Sequence, residues 1–277
     1  APLYSEKGFS TKPEYRATDY YLMDGYNDSN YPDVTPERDG KRLIVQPNTF
    51  NMYCHREPRF YLTVVWNGQW FKWENRNTNF LYGQPDGGPT HDAPQTGYLL
   101  RKRVHPETNI LNYSIPYRPG IICRLAEAYL NYAEALNEWA PEQTDEILKY
   151  VNLVRERAGI PQYGTGKDSN GLDKIPAPAD QTAMREAIRR ERRVEFNCEY
   201  AIRFDDIRRW KQIDILRGDF YGMNKFGTEK SCDKNNENAY FKRRVEITRA
   251  FSEKNYWFPI HQNQLDKNPN LRQLPKW

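Results

Sequence analysis

Glu191, Glu195 and Glu199 recur at steps of four, which on a helix sets successive carboxylates about 5–6 Å apart at Cβ. That spacing lies inside the roughly 5–9.5 Å that separates the acid pair of a glycoside hydrolase. The same stretch carries Arg185, Arg189, Arg192, Arg193 and Arg203. Guanidinium groups so near hold carboxylates ionised, whereas a general acid needs a raised pKa. We therefore expect no catalytic residue here. Arg–Glu forks that bridge adjacent helices, bidentate and partly buried, are the expected use of Arg124, Glu127, Glu191, Arg192, Glu195 and Arg203.

A second constellation runs from Trp66 and Asn67 through Gln69, Trp70, Phe71, Trp73, Asn75 and Arg76, with Tyr82 soon after. Flat aromatic faces stack on the apolar faces of sugar rings, while Asn, Gln and Arg hydrogen-bond hydroxyls. A strand–turn–strand that buries alternate Trp residues is the competing possibility, but three Trp within eight positions are hard to bury together. The expected sugar-contacting set is Trp66, Asn67, Trp70, Trp73, Asn75 and Tyr82.

Other chemistry finds less support. Gly164-Thr165-Gly166-Lys167-Asp168 has the look of a phosphate loop, but Pro161 occupies the first required Gly and Asp168 the magnesium-binding Ser/Thr. Asp168, Asn170 and Asp173, or Asp24, Asn27, Asp28 and Asp33, offer oxygens to calcium without the full loop and terminal Glu. Solvated turns are expected there, and no cofactor beyond that calcium option. His55, His91, His105 and His261 are scattered, with no metal or nucleophile spacing. Cys123 and Cys198 fall in expected helices as small core residues, whereas Cys54 and Cys232 are loop cysteines able to pair in an oxidising compartment. Spacing alone leaves three pairings open.

The 41 Lys and Arg against 37 Asp and Glu give a net charge of +4, interleaved and without a basic block, so nucleic acid is not suggested. At 277 residues the chain can bury a core, and 14% aromatic content separates it from disordered polar chains. No stretch approaches the ~20 apolar residues of a membrane span, and the N-terminus lacks the charged-then-apolar order of a signal peptide. Residue 1 is Ala, so an upstream segment is expected.

Helices must position these groups. Ile122, Leu125, Tyr129, Tyr132 and Leu136 predict a helix from Ile121 to Trp139. Thr144 is the expected cap of a second, carrying Ile147, Leu148, Val151 and Val154 and ended by Gly159 and Pro161. After a polar loop over 162–179, Asp180 caps a third through Met184, Ile188, Val194 and Phe196, and a fourth covers Ile202–Leu216. The two pairs fit tetratricopeptide-type units of roughly 34 residues. Upstream, 1–120 reads as loops with short strands over Phe60–Trp66 and Gly97–Leu100; downstream, 218–248 reads as an irregular excursion and 251–277 as a helix-free wrapping tail. The expected fold is mainly α, with long irregular loops.

These residues also resemble a known family. Arg124–Ala135, Val151–Gly159, Ile188–Phe196, Arg203–Trp210 and the tail from Phe258-Pro259-Ile260 to Asn268–Gln273 look, in that order, like the SusD/RagB family of outer-membrane nutrient-binding lipoproteins. Asp19–Gly25, Arg56–Phe60 and Thr96–Lys102 match preceding segments, while Ile260-His261 and Leu274-Pro275-Lys276-Trp277 depart locally. The resemblance implies a SusD-like α/α superhelical fold, of which 1–277 is the C-terminal portion: a ligand-facing region (1–120), two helical hairpins (121–217) and the excursion and tail (218–277). It further implies non-enzymatic capture of an oligosaccharide at the cell surface and a lid-like role over a SusC-like TonB-dependent transporter. The partners would be that transporter and the N-terminal half of the same protein, and anchoring would be through a lipid on a segment outside this chain. Peptide capture of the RagB kind, and a tetratricopeptide-type scaffold for a partner helix, are the alternatives.

Overall fold

The computed structural model describes residues 50–53, 57–71, 74–105, 107–109, 112–199, 202–231, 233 and 235–277, and the backbone of two short paired strands, β1 (Ser10–Thr11) and β2 (Arg16–Ala17). Trp73, Cys54, Cys232, His55, and the calcium-candidate residues Asp24, Asn27, Asp28 and Asp33 lie outside the described residues.

Two cores organise the chain. The first is aromatic: Phe50, Tyr53, Phe60, Tyr61, Trp66, Phe80, Tyr98, Tyr240 and Phe241 pack with Met52, Val64, Leu81 and Met223. Phe50 stacks on Phe241 with centroids 3.8 Å apart, and Phe60 stacks on Trp66 at 5.6 Å. The expected strand over Phe60–Trp66 is only half present. Helix α1 (Pro58–Thr63) precedes strand β3 (Val64–Trp66), because Pro58 stands at the helix start, where its missing N–H costs nothing. Strand β6 (Tyr98–Leu100) then pairs antiparallel with β3, setting Trp66 opposite Tyr98.

The second core lies among three helices, α2 (Leu125–Trp139), α3 (Thr144–Arg157) and α4 (Gln181–Glu195). Leu130, Ala133 and Leu136 meet Ile147, Val151 and Val154, closed by Met184, Ile188 and Phe196. Asp180 caps α4, its Oδ1 accepting from the Ala183 N–H at 2.8 Å. Gly159, at φ +68°, ends α3 in the left-handed region. Thr144 is the first helical residue and Gln143 the cap; the Thr144 hydroxyl donates to the Pro141 carbonyl.

Several boundaries differ from expectation. α2 starts at Leu125, so Ile121 and Ile122 precede it, exposed. Cys123 and Cys198 lie just outside α2 and α4 and are exposed free thiols, because Cys198 sits in the turn after α4 at φ +59°. The fourth helix, α5 (Ile202–Arg209), is short: Lys211 turns at φ +58° and the chain resumes as a 3-10 turn over Ile213–Leu216. The stretch 218–248 is not wholly irregular. Strands β7 (Gly218–Gly222) and β8 (Arg244–Arg249) form an antiparallel hairpin with a bulge at Phe220/Tyr221. Its cations stack on its rings, Arg249 over Phe220 at 4.2 Å and Arg243 over Tyr221 at 3.8 Å.

The tail does contain helix: a 3-10 turn over Glu253–Tyr256 and helix α6 (Gln262–Lys267). Ser252 starts the former, with its N–H on Asn255 Oδ1 at 2.8 Å. The Tyr256 carbonyl takes the Arg208 guanidinium at 2.7 Å, and its hydroxyl accepts from the Ile213 N–H at 3.0 Å, which fastens the tail to α5.

Candidate functional site

The three glutamates that could have formed an acid pair sit instead in a dense ion network. Arg59, on α1, donates from Nε to Glu57 at 2.6 Å and from Nη1 to Glu191 and Glu195 at 2.6 and 3.1 Å. Arg155 reaches the other Glu191 oxygen at 2.9 Å. Arg124 donates to Glu195 at 2.8 Å and forks onto Glu199 at 3.0 and 2.6 Å. Arg157 and Lys102 add contacts of 2.6 Å each to Glu195 and Glu199. Burial alone would push the Glu191 carboxyl up, but the charges of Arg59 and Arg155 outweigh it and hold it below the usual carboxylate range. Arg124 and Lys102 do the same for Glu199 against the same desolvation. Groups so held do not donate protons at neutral pH, and Glu191 and Glu195 are buried beneath their partners.

Arg192 forks onto Asp206 at 3.0 and 2.9 Å, binding α4 to α5. Glu127 and Arg203 depart from the expected set: among the described residues neither forms a salt bridge. Glu127 stands beside the Cys123 thiol, and Arg203 lies at the start of α5, half-buried.

The aromatic segment divides between core and surface. Trp66 is 0% exposed, under Phe60 and Tyr53, because alternation along β3 turns Val64 and Trp66 inward together. Asn67 is buried too, its Oδ1 accepting from the Phe80 N–H at 2.7 Å. Both leave the sugar-contacting set, since neither presents a face or polar tip to solvent. Trp70 is half-buried on β4 (Trp70–Phe71), opposite Asn77 of β5 (Arg76–Asn77). Asn75 is exposed in the turn between them at φ +54°, a conformation Asn tolerates better than most residues.

Tyr82 emerges just after Phe80 and Leu81 enter the core. It is 36% exposed, with its ring 6.0 Å from that of Phe226, itself 58% exposed. The Tyr82 N–H donates to the Gly227 carbonyl at 2.9 Å. A Cβ on Gly88 would lie 2.9 Å from the Tyr82 ring, and one on Gly227 would lie 2.5 Å from Tyr240 Cα, so both close approaches require glycine. Arg76 ties the β4–β5 hairpin to the following loop by a fork onto Asp86 at 2.6 and 2.8 Å. The Asn79 N–H adds a bond of 2.7 Å to Asp86. Against its partial desolvation, these bonds hold the Asp86 carboxyl below its ordinary value.

Trp70, Phe71, Tyr82 and Phe226 are thus rings left partly exposed, and Asn75, Asn79 and Gln84 lie on the same stretch of chain as the first three. Arg244 lies 4.9 Å over Phe226, and Lys225 is held between Gln95 and Glu246 at 2.6 and 2.7 Å. Partly exposed rings beside amide donors and acceptors can stack on a pyranose and bond its hydroxyls. Phe226 escaped the sequence reading because only the paired β7–β8 hairpin and the loop it carries bring it to Tyr82. Asp168, one of the calcium candidates, directs its oxygens at the N–H groups of Asn170, Leu172 and Gln162.

Comparison with known proteins agrees with this architecture. The model of the SusD family matches residues 5–277. A SusD-like protein from Bacteroides fragilis NCTC 9343, BF3747, superposes with a TM-score of 0.60 at 25% identity, over 94% of this chain and 46% of its own. A second solved protein, BT4246, gives 0.68 at 23% identity, over 99% of this chain and 44% of its own. The chain thus spans less than half the length of either structure. No match was found among curated proteins. A family match across nearly the whole sequence, together with the same fold in these structures, places the chain in the SusD family.

Proposed function

We propose that this chain captures an oligosaccharide at a bacterial cell surface and contributes to its delivery to a SusC-like TonB-dependent outer-membrane transporter, without chemistry on the sugar. Family membership supports the nutrient-binding role. The observation that carries the ligand class is the Tyr82–Phe226 pair, partly exposed, with Tyr82 in the loop that Arg76 braces through Asp86. In this proposal Trp70, Asn75, Tyr82 and Phe226 touch the sugar, and Trp73 adds to them. The α2–α3 and α4–α5 pairs act as tetratricopeptide-like units docking on the transporter, with the N-terminal half of the protein and a lipid anchor completing the assembly. Calcium is not needed for the binding step.

Isothermal titration against neutral and acidic oligosaccharides tests this, using the chain alone and mixed with a SusD-family N-terminal half. Tyr82→Ala and Trp70→Ala are expected to weaken binding at least about tenfold, or 1.4 kcal/mol, with no cleavage product from any sugar. No saccharide binding by the mixture, or binding to a peptide array instead, would overturn the proposal.

A further inference from the structure

Among the described residues, the buried arginines all have carboxylates. Arg59, Arg124, Arg155 and Arg192 are each matched by acids at hydrogen-bond distance. Arg193 and Arg203 are not. Both are half-buried, Arg193 Nε is sealed from solvent without an acceptor, and among the described residues neither forms a salt bridge. A guanidinium removed from water without a counter-charge is costly, and proteins keep such groups paired.

The surroundings make the deficit deeper. Arg189, one turn before Arg193 on α4, also buries its Nε without an acceptor, and its one salt bridge among the described residues is to the exposed Glu186 at 3.3 Å. Arg190 stands close enough to repel Arg193 electrostatically. Asp206 attracts Arg203 electrostatically without forming a salt bridge to it, and both its oxygens are already engaged by the Arg192 fork and by Arg209. Helical spacing puts Arg193 on the side of α4 away from Ile188 and Glu195. Desolvation, then repulsion from Arg203 and Arg190, drives the Arg193 pKa down to about 10, as happens where positive charge gathers without a partner.

We propose that Arg193 and Arg203, on adjoining α4 and α5, form an anion site whose occupant is a carboxylate from an Asp or Glu side chain of a polypeptide packed against this face. Guanidinium geometry suits a carboxylate, which one or both forks can clasp. A side chain is favoured over a free sugar acid because the site is recessed, both arginines being half-buried and Arg193 Nε lying out of solvent reach. The solved SusD-like structures also carry more than as much chain again beyond the part matched here, which supplies a source. This inference is independent of the saccharide proposal and involves none of the residues assigned to it.

The test is thermal unfolding of the full chain in sodium acetate against sodium chloride at constant ionic strength, followed by sodium glucuronate. Acetate is expected to raise the midpoint with a saturable dependence, since a ligand of the native state stabilises by mass action. In Arg193→Met and Arg203→Met the acetate response is expected to vanish while the midpoint in chloride stays level or rises. A wild-type midpoint set by ionic strength alone, or an acetate response surviving in either variant, overturns the site. Glucuronate saturating at least tenfold lower than acetate overturns the side-chain occupant in favour of a sugar acid; equal saturation supports it.

Discussion

Replacing Glu191 with Gln isolates the charge of one carboxylate at the centre of the ion network. The substitution keeps shape and one acceptor oxygen, but leaves Arg155 with a charged partner on neither side: its remaining strong contact is the Pro161 carbonyl at 2.7 Å. Arg59 retains Glu57 and Glu195. Breaking a buried pair by removing one partner typically costs about 3–5 kcal/mol. With an unfolding entropy of about 2.1 cal/mol/K per residue, a chain of 277 residues should lose about 5–9 °C in Tm, measured by circular dichroism at pH 7. The pH dependence has a definite sign. Burial raises the Glu191 pKa, but Arg59 and Arg155 more than reverse this, so its folded value lies below the unfolded one. Its contribution is complete above the unfolded value, about 4.3, and is lost as pH falls through the folded value. The gap between wild type and variant should therefore be constant at neutral pH and close only in acid. A Glu191→Gln protein within about 1 kcal/mol of wild type at pH 7 would refute the assignment of this network as structural.

Further outcomes follow from single contacts. Trp66→Ala should cost about 3–5 kcal/mol in urea unfolding, as a large ring lost from a packed core does, whereas Tyr82→Ala should stay within about 1 kcal/mol; equal losses would contradict their different burial. Asp180→Ala should remove about 1 kcal/mol through the lost α4 cap, and Asp180→Asn should restore most of it. Gly227→Ala brings a methyl to within 2.5 Å of Tyr240 Cα; a changed near-ultraviolet aromatic signal and weakened sugar binding are expected even where the protein still folds.

The helical half was readable in the sequence because its signals are local. Leu136, Ile147, Val151 and Ile188 repeat at helical intervals and are buried, although Leu125 and Tyr132 of the expected stripe are exposed because the buried face of α2 runs through Ala126, Leu130 and Ala133; Asp180 caps the helix it precedes, and Gly159 ends another. The aromatic half was not readable in the same way. Its ring pairs join residues far apart in sequence, Phe50 with Phe241 and Tyr82 with Phe226, and strands of two or three residues leave almost no periodicity. Trp66 and Trp70 are the same residue type in one short run, yet one is core and the other half-exposed, because a turn at Asn67 and Gly68 redirects the chain between them. Arg203 shows the limit from the other side: an arginine among acids implied an ion pair, but the nearby carboxylate was already taken by Arg192.

The Arg59–Glu191–Glu195–Arg124 network joins α1, at the edge of the aromatic core, to α4, the spine of the helical core. Its carboxylates lie out of reach of mobile ions, so added salt screens it only weakly. In the proposed function, a saccharide settling on Tyr82 would meet a ring in a loop braced by the Arg76–Asp86 fork. The entropy lost on association would then fall mainly on the ligand, so a flexible oligosaccharide would be penalised relative to one already held in its bound shape. Selectivity among sugars of equal composition would come from conformational stiffness as well as from hydroxyl pattern.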